Sequence, residues 1–345
     1  MPAAALQRFR NGGVVPAHPL ALNQDRKLDE RRQRALTRYY IEAGAVGLAV
    51  AVHTTQFGLH DRARGLLAPV LELAATTAGE YPDNSTVLVA GVVGPTEHAV
   101  AEAELAASLG YDMALVAPFG AGDIGEKQLL ERARAVGEVL PVIGFYLQPA
   151  VGGRPLSREF WSELAQLPSV VGIKIAPFDR YATLDVMHGV ARSGRAGEIA
   201  LYTGNDDNIV SDLVNTYPGP GAPLHMVGGL LGQWAVWVRE AVRMSQLARQ
   251  ARAGDDSALR CLVDLDPALT DANAALFDAA NGFRGCVPGI HEALRRQGLL
   301  EGLWCLDEDE RLSPGQLEEI DRIWAAYPHL RDDEFVEANL DRWLA

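Results

Sequence analysis

The chain is poor in lysine. Only Lys27, Lys127 and Lys174 carry an amine, against 28 arginines. Cysteine is scarce as well: Cys261, Cys286 and Cys305 are too few and too far apart for a disulfide framework or a CxxC zinc site, which fits a reducing, cytoplasmic location. A basic surplus is missing too. With 45 acidic residues the formal charge is −14, and a nucleic-acid partner is not expected, because such binders neutralise phosphates with a basic face. The uncharged stretch 43–60 is broken by Gly44, Gly47, His53, Thr54, Thr55 and Gln56, too polar to cross a bilayer. Residues 1–13 lack the apolar centre of a secretion signal, so no membrane partner is expected. No GxGxxG or Walker motif follows any candidate strand, which argues against a nucleotide cofactor.

What remains is a long chain, 48% hydrophobic, with a regular alternation. Short β-branched runs at 13–16, 46–52, 86–91, 113–117, 142–146, 170–174, 199–203 and 225–230 read as strands. Amphipathic segments such as 28–43, 62–78, 97–109, 126–140, 157–167 and 208–217 separate them. Strands divided by helices pair in parallel through right-handed crossovers. Eight such units predict an α/β fold, a TIM (β/α)8 barrel, over residues 12–232. The rest predicts a C-terminal helical extension: helices packed on the barrel over 233–300, then an acidic helical tail over 301–345. That tail holds 13 acids against 4 arginines. Trp304, Trp324 and Trp343 imply that one of its faces packs on the barrel or on a partner subunit.

In such a barrel the reactive groups gather at the carboxyl ends of the strands. Lys174 stands there in the otherwise apolar run 170–176. Desolvation lowers an amine's pKa and leaves it nucleophilic near neutral pH, whereas an arginine cannot form an imine. The bland alternative is a core lysine paired with Asp206 or Asp207. Tyr146 ends the preceding strand, and Gly144 and Gly172 lie two residues before Tyr146 and Lys174. Period-2 alternation predicts that both side chains share the inward face, a phenol beside an amine. Thr54 and Thr55 after the second strand are candidates to hold a small carboxylate, so the set suggests a 2-oxo acid site.

The ordered motifs His53-Thr54-Thr55, Tyr146-Leu147-Gln148-Pro149, Gly172-Ile173-Lys174 and Gly204-Asn205-Asp206-Asp207 resemble the dihydrodipicolinate synthase/N-acetylneuraminate lyase family of class I aldolases. The resemblance implies a pyruvate-type Schiff base on Lys174, with Tyr146 as acid/base, Thr54 in a proton relay and Thr55 on the carboxylate. It implies no cofactor beyond that imine, and a homotetramer or homodimer. His53, Gly204, Asp206 and Gly229, at neighbouring strand ends, complete the expected substrate-binding set. The 2-oxo acid would be joined by an aldehyde if the enzyme condenses, and aldol cleavage and dehydration are equally open. Departures touch the second substrate: His53 and Gln56 stand where the family has glycines, Gly120 replaces the relay tyrosine, and Leu147 and Val151 replace an asparagine and an arginine.

Two other readings compete. His18 and His53, with His225, invite a metal-dependent hydrolase or class II aldolase, although no HxH or HExxH spacing supports it. A non-catalytic barrel that only binds 2-oxo acids is the other. Cys286 has no histidine partner in sequence and is expected to be buried, and Gly228-Gly229 and the 120–125 loop read as tight turns.

Overall fold

The computed structural model describes residues 3–81, 86–219 and 223–345. Eight parallel strands, β1 (Val14–Pro16), β2 (Gly47–Val50), β3 (Val87–Val92), β4 (Met113–Val116), β5 (Val142–Leu147), β6 (Val170–Ala176), β7 (Ala200–Thr203) and β8 (Met226–Leu231), pair in the order β1-β8-β7-β6-β5-β4-β3-β2. The barrel closes between β1 and β2. There an Ala17–Ala49 bridge forms, the His18 N–H donates to Ala49 O at 2.8 Å, and the Val46 N–H donates to Val14 O at 2.9 Å. Apart from Val227, every strand residue is buried. This explains why the strands read as continuous apolar runs: one face fills the barrel and the other meets the helices.

Those helices are α2 (Glu30–Ala43), α3 (Leu67–Gly79), α4 (Thr96–Ser108), α5 (Glu126–Gly137), α6 (Arg158–Gln166), α7 (Arg180–Arg192) and α8 (Ile209–Val214). Asp29, Ser157 and Asp179 start α2, α6 and α7 by accepting from the backbone N–H groups of Arg32, Phe160 and Ala182. An N-terminal helix that the alternation does not reveal, α1 (Ala3–Asn11), plugs the amino end of the barrel. Its Phe9 stacks on Tyr202 with centroids 4.6 Å apart, and the Tyr202 hydroxyl donates to Phe9 O at 2.7 Å. Gly172 makes room for that plug, since a Cβ there would lie 2.7 Å from the Phe9 ring.

The C-terminal part forms α9 (Val238–Arg252), α10 (Asp256–Leu276), α11 (Cys286–Arg296), α12 (Gln316–Ala326) and α13 (Asp333–Leu344). Its acidic end wraps the barrel. Trp343 is fully buried against Tyr39 of α2, with ring centroids 5.5 Å apart, and Arg38 donates to Trp343 O at 2.7 Å. Buried Asp332 is the anchor. It accepts from the Tyr39 hydroxyl at 2.8 Å, the Arg239 N–H at 3.0 Å and the Gln297 amide at 2.9 Å. Between α11 and α12 a strap crosses the carboxyl end of the barrel, tied by Arg26 to Cys305 O and by the Leu306 N–H to Gln56 Oε1 at 2.6 Å.

Candidate active site

The 277–286 turn closes over a narrow pocket at the carboxyl ends of the strands. Lys174 enters from β6, on the same inward face as Gly172 and Ala176. Its stem passes Gly204, where a Cβ would lie 2.8 Å from Lys174 Cε, so this glycine is needed for the lysine to lie as it does. Burial lowers the amine to about 8, and the Asp206 carboxylate opposes that fall.

Asp206 is the only acid in the cavity wall among the described residues. Burial raises its pKa, while the Gln233 N–H, donating to Oδ1 at 2.7 Å, and the lysine charge pull the other way. The turn that carries Asp206 is held from behind by buried Asp212, which accepts from the Thr203 hydroxyl at 2.6 Å and the Asn205 amide at 2.9 Å. An acid and an amine, both shifted toward neutral pH, therefore face one small space.

Tyr146 does not join them. In the β5–β6 register Phe145 lies beside Lys174 and Tyr146 beside Ile175, after an irregularity at Val142/Ile143 that lets Ile143 pair with Gly172. Ile143, Phe145 and Leu147 face into the barrel, and Tyr146 faces the helices. There its ring lies 5.0 Å from that of Trp161, and its hydroxyl accepts from the Leu156 N–H at 3.4 Å. Gly144 faces outward as well, 2.6 Å from Leu164 if it bore a Cβ. The expected shared face fails because one extra residue in a ladder exchanges its two faces. The place beside the amine belongs to the Phe145 ring, with its centroid 4.3 Å from Lys174 Nζ.

The remaining candidates divide. Thr54 lines the cavity and donates its hydroxyl to Ala17 O at 2.7 Å, leaving its lone pairs free to accept. Half-buried His53 lies at the rim, its pKa lowered to about 4 by burial and by the Lys174 charge, so its ring is neutral. Gly204 and Asp206 are in the wall. Thr55 is not. It donates to His18 O at 2.6 Å and accepts from the Val52 N–H at 3.1 Å, tying the ends of β1 and β2 together. Gly229 faces the helix layer, where a Cβ would lie 2.5 Å from the Trp234 ring, and Gly232 borders the cavity instead.

The histidines do not assemble a metal centre. The His18 ring meets the Gln33 amide at 3.0 Å and the Thr37 hydroxyl at 2.9 Å, and His225 lies beside Asn215 O just before β8 begins. Among the described residues no group of three His, Cys, Asp or Glu side chains is placed to hold a metal ion. Cys286 is buried, as expected, but in the cavity wall.

Sequence reasoning missed Gln148, Phe178, Phe277 and Phe283 in the wall. Gln148, inside a motif that drew attention for its tyrosine, is buried and makes no side-chain hydrogen bond among the described residues. The phenylalanines come from a βα turn and from the C-terminal extension, where no local signal marks them.

The sequence pattern of the dihydrodipicolinate synthetase family matches residues 10–218, well over half of the chain and all of the strands up to β7. The chain belongs to that family. Membership implies a class I, pyruvate-dependent, aldolase-type function. Dihydrodipicolinate synthase from Oceanobacillus iheyensis is 19% identical with TM-score 0.71, over 94% of this chain and 99% of that one. The chloride-inhibited synthase from Acinetobacter baumannii, solved with pyruvate, is 20% identical with TM-score 0.72, over 91% and 98%. CdNal from Clostridium difficile, solved with mannosamine, is 17% identical with TM-score 0.71, over 92% and 99%. These likenesses show the same barrel with its C-terminal helices. No curated protein matches the chain.

Proposed function

We propose that this member of the dihydrodipicolinate synthetase family is a lyase or synthase that forms an imine between Lys174 and a 2-oxo acid. The observation that carries the reading is a buried amine facing a buried carboxyl group in a roofed, mostly apolar cavity at the carboxyl end of the barrel.

Lys174, neutral in part near pH 8, attacks the ketone carbon. Protonated Asp206 gives its proton to the departing hydroxyl, and water leaves. The resulting iminium draws electrons from the neighbouring carbons, so a C–C bond breaks or forms at C3, or a hydroxyl is eliminated. Asp206, now a carboxylate, takes up the proton released, with neutral His53 and the Thr54 hydroxyl able to pass it on. The substrate carboxylate is received by the Gln148 amide and by the iminium charge itself. Tyr146 faces the helices and has no part in these steps. In the condensing direction an aldehyde is the second substrate, and the imine replaces any cofactor. Assembly as a homodimer or homotetramer belongs to the same reading and is checked by light scattering.

The direct test is enamine formation. In D2O the protein should exchange the C3 protons of pyruvate, followed by NMR, and Lys174→Met should abolish the exchange. Absence of exchange from folded protein with any 2-oxo acid contradicts the lyase reading. Phe145, standing where a phenol would serve the amine, favours one second reading, a barrel that binds 2-oxo acids without turnover. Saturable pyruvate binding with no exchange would select it.

A further inference from the structure

Resting on the imine reading, we propose that the substrate is a 2-oxo acid bearing an aryl group with an uncharged polar end, laid across two chambers that meet at His53. In the inner chamber the polar groups, Lys174, Asp206, Thr54 and Gln148, are the ones that the reacting end of the substrate requires. Beyond them the wall is Leu147, Val151, Phe178, Phe277 and Phe283, with Phe178 and Phe283 edge to face at 5.6 Å. A polyhydroxylated chain would leave its hydroxyls unpaired against that wall, which is costly. A ring would bury its faces there.

The second chamber shares His53 and Val151 with the first and opens toward the strap. One side is a stacked pair, Phe57 on Phe119, with centroids 4.2 Å apart at 16°. The other side carries Asp307 and Glu310. Arg64, the cation in this wall, is occupied by Leu306 O at 3.4 Å and Asp61 at 3.9 Å. A second carboxylate or a phosphate on the substrate would therefore meet two acids against one arginine that already has an acid beside it. The carboxylates of Asp307 and Glu310 can instead accept from a hydroxyl at that end of the ligand, while the Gln56 amide is not available to it: its Oε1 is taken by the Leu306 N–H and its Nε2 is closed off from solvent.

With a 4-aryl-4-hydroxy-2-oxo acid the atoms balance as follows. Lys174 condenses at C2 and water leaves. The C3–C4 bond breaks, its electron pair moves into the enamine, the C4 hydroxyl proton passes to Asp206, and an aryl aldehyde departs toward the strap. C3 is then protonated, and water releases pyruvate from the amine.

Borohydride trapping on the full chain tests the proposal, with the concentration for half-maximal adduct read for four probes: pyruvate, 2-oxoglutarate, 4-phenyl-2-oxobutanoate and its para-hydroxyphenyl analogue. The aryl acids should saturate at concentrations about tenfold or more below the other two, with the hydroxylated one the better. In the double variant Asp307→Asn/Glu310→Gln, 2-oxoglutarate should gain about tenfold while the aryl acids change little. If pyruvate is trapped but the aryl acids are no better, or 2-oxoglutarate saturates as low as they do, the substrate assignment is overturned and the imine reading stands. If no probe is trapped, both fall.

Discussion

The Lys174 amine sits 4.3 Å from the centre of the Phe145 ring, across the β5–β6 pair, with Asp206 as the carboxyl group that shares its cavity. The ring face favours the ammonium form while burial opposes it, and burial dominates. Replacing Phe145 by Leu removes the ring and keeps an apolar side chain. The midpoint of the amine, read from the pH dependence of pyruvate exchange, should then fall by about half a unit to one unit, the equivalent of a cation–π contact.

Tyr146→Phe is expected to leave exchange within about threefold of the parent and to cost at most about 1 kcal/mol of stability in urea, because the hydroxyl makes one long hydrogen bond in the helix layer. A loss of a hundredfold would place the phenol in the chemistry after all.

The pH profile follows from the amine and the acid beside it. The neutral form of Lys174 attacks, with a pKa lowered to about 8, and Asp206, raised to about 7, must hold its proton to give it, so the exchange rate should be greatest between about pH 7 and 8 and fall on either side, rather than rise through the ordinary lysine range. Asp206 holds the amine's pKa up. In Asp206→Asn the midpoint should move to lower pH, while the maximal rate drops roughly a hundredfold through loss of the proton donor. An unmoved midpoint would show that the two groups do not interact.

Asp332 lies far along the chain from this chemistry and is predicted to govern stability. Asp332→Ala strands the donors of Tyr39, Arg239 and Gln297 in the interface between the acidic end and the barrel. Urea denaturation should show a loss of about 3 kcal/mol or more. A loss below about 1 kcal/mol would mean that the C-terminal wrapping is loose.

The barrel was legible because its signals are local and repeated: eight apolar runs, each closed by turn residues, with helical periodicity between them. Lys174 was legible for the same reason, as one charge in an apolar strand. The face of Tyr146 was not, since a single irregularity between Val142 and Ile143 reverses an alternation that sequence can only count. Thr55 and Gly229 looked like site residues because they flank the right strand ends, but the strand-end hydrogen bonds claim the Thr55 hydroxyl and Trp234 fills the space beside Gly229. The roof was invisible for a different reason. Phe277, Phe283 and Glu310 reach the mouth through packing between segments more than a hundred residues apart from the lysine, and no periodicity encodes such a meeting.

The low lysine count makes the decisive measurement unambiguous. The protein is incubated with pyruvate and borohydride across pH 6 to 10, digested, and the reduced adduct located by mass spectrometry among Lys27, Lys127 and Lys174. Modification at Lys174 alone is expected, greatest between about pH 7 and 8. Adducts spread over Lys27 and Lys127, or none at Lys174 at any pH, would contradict the imine reading.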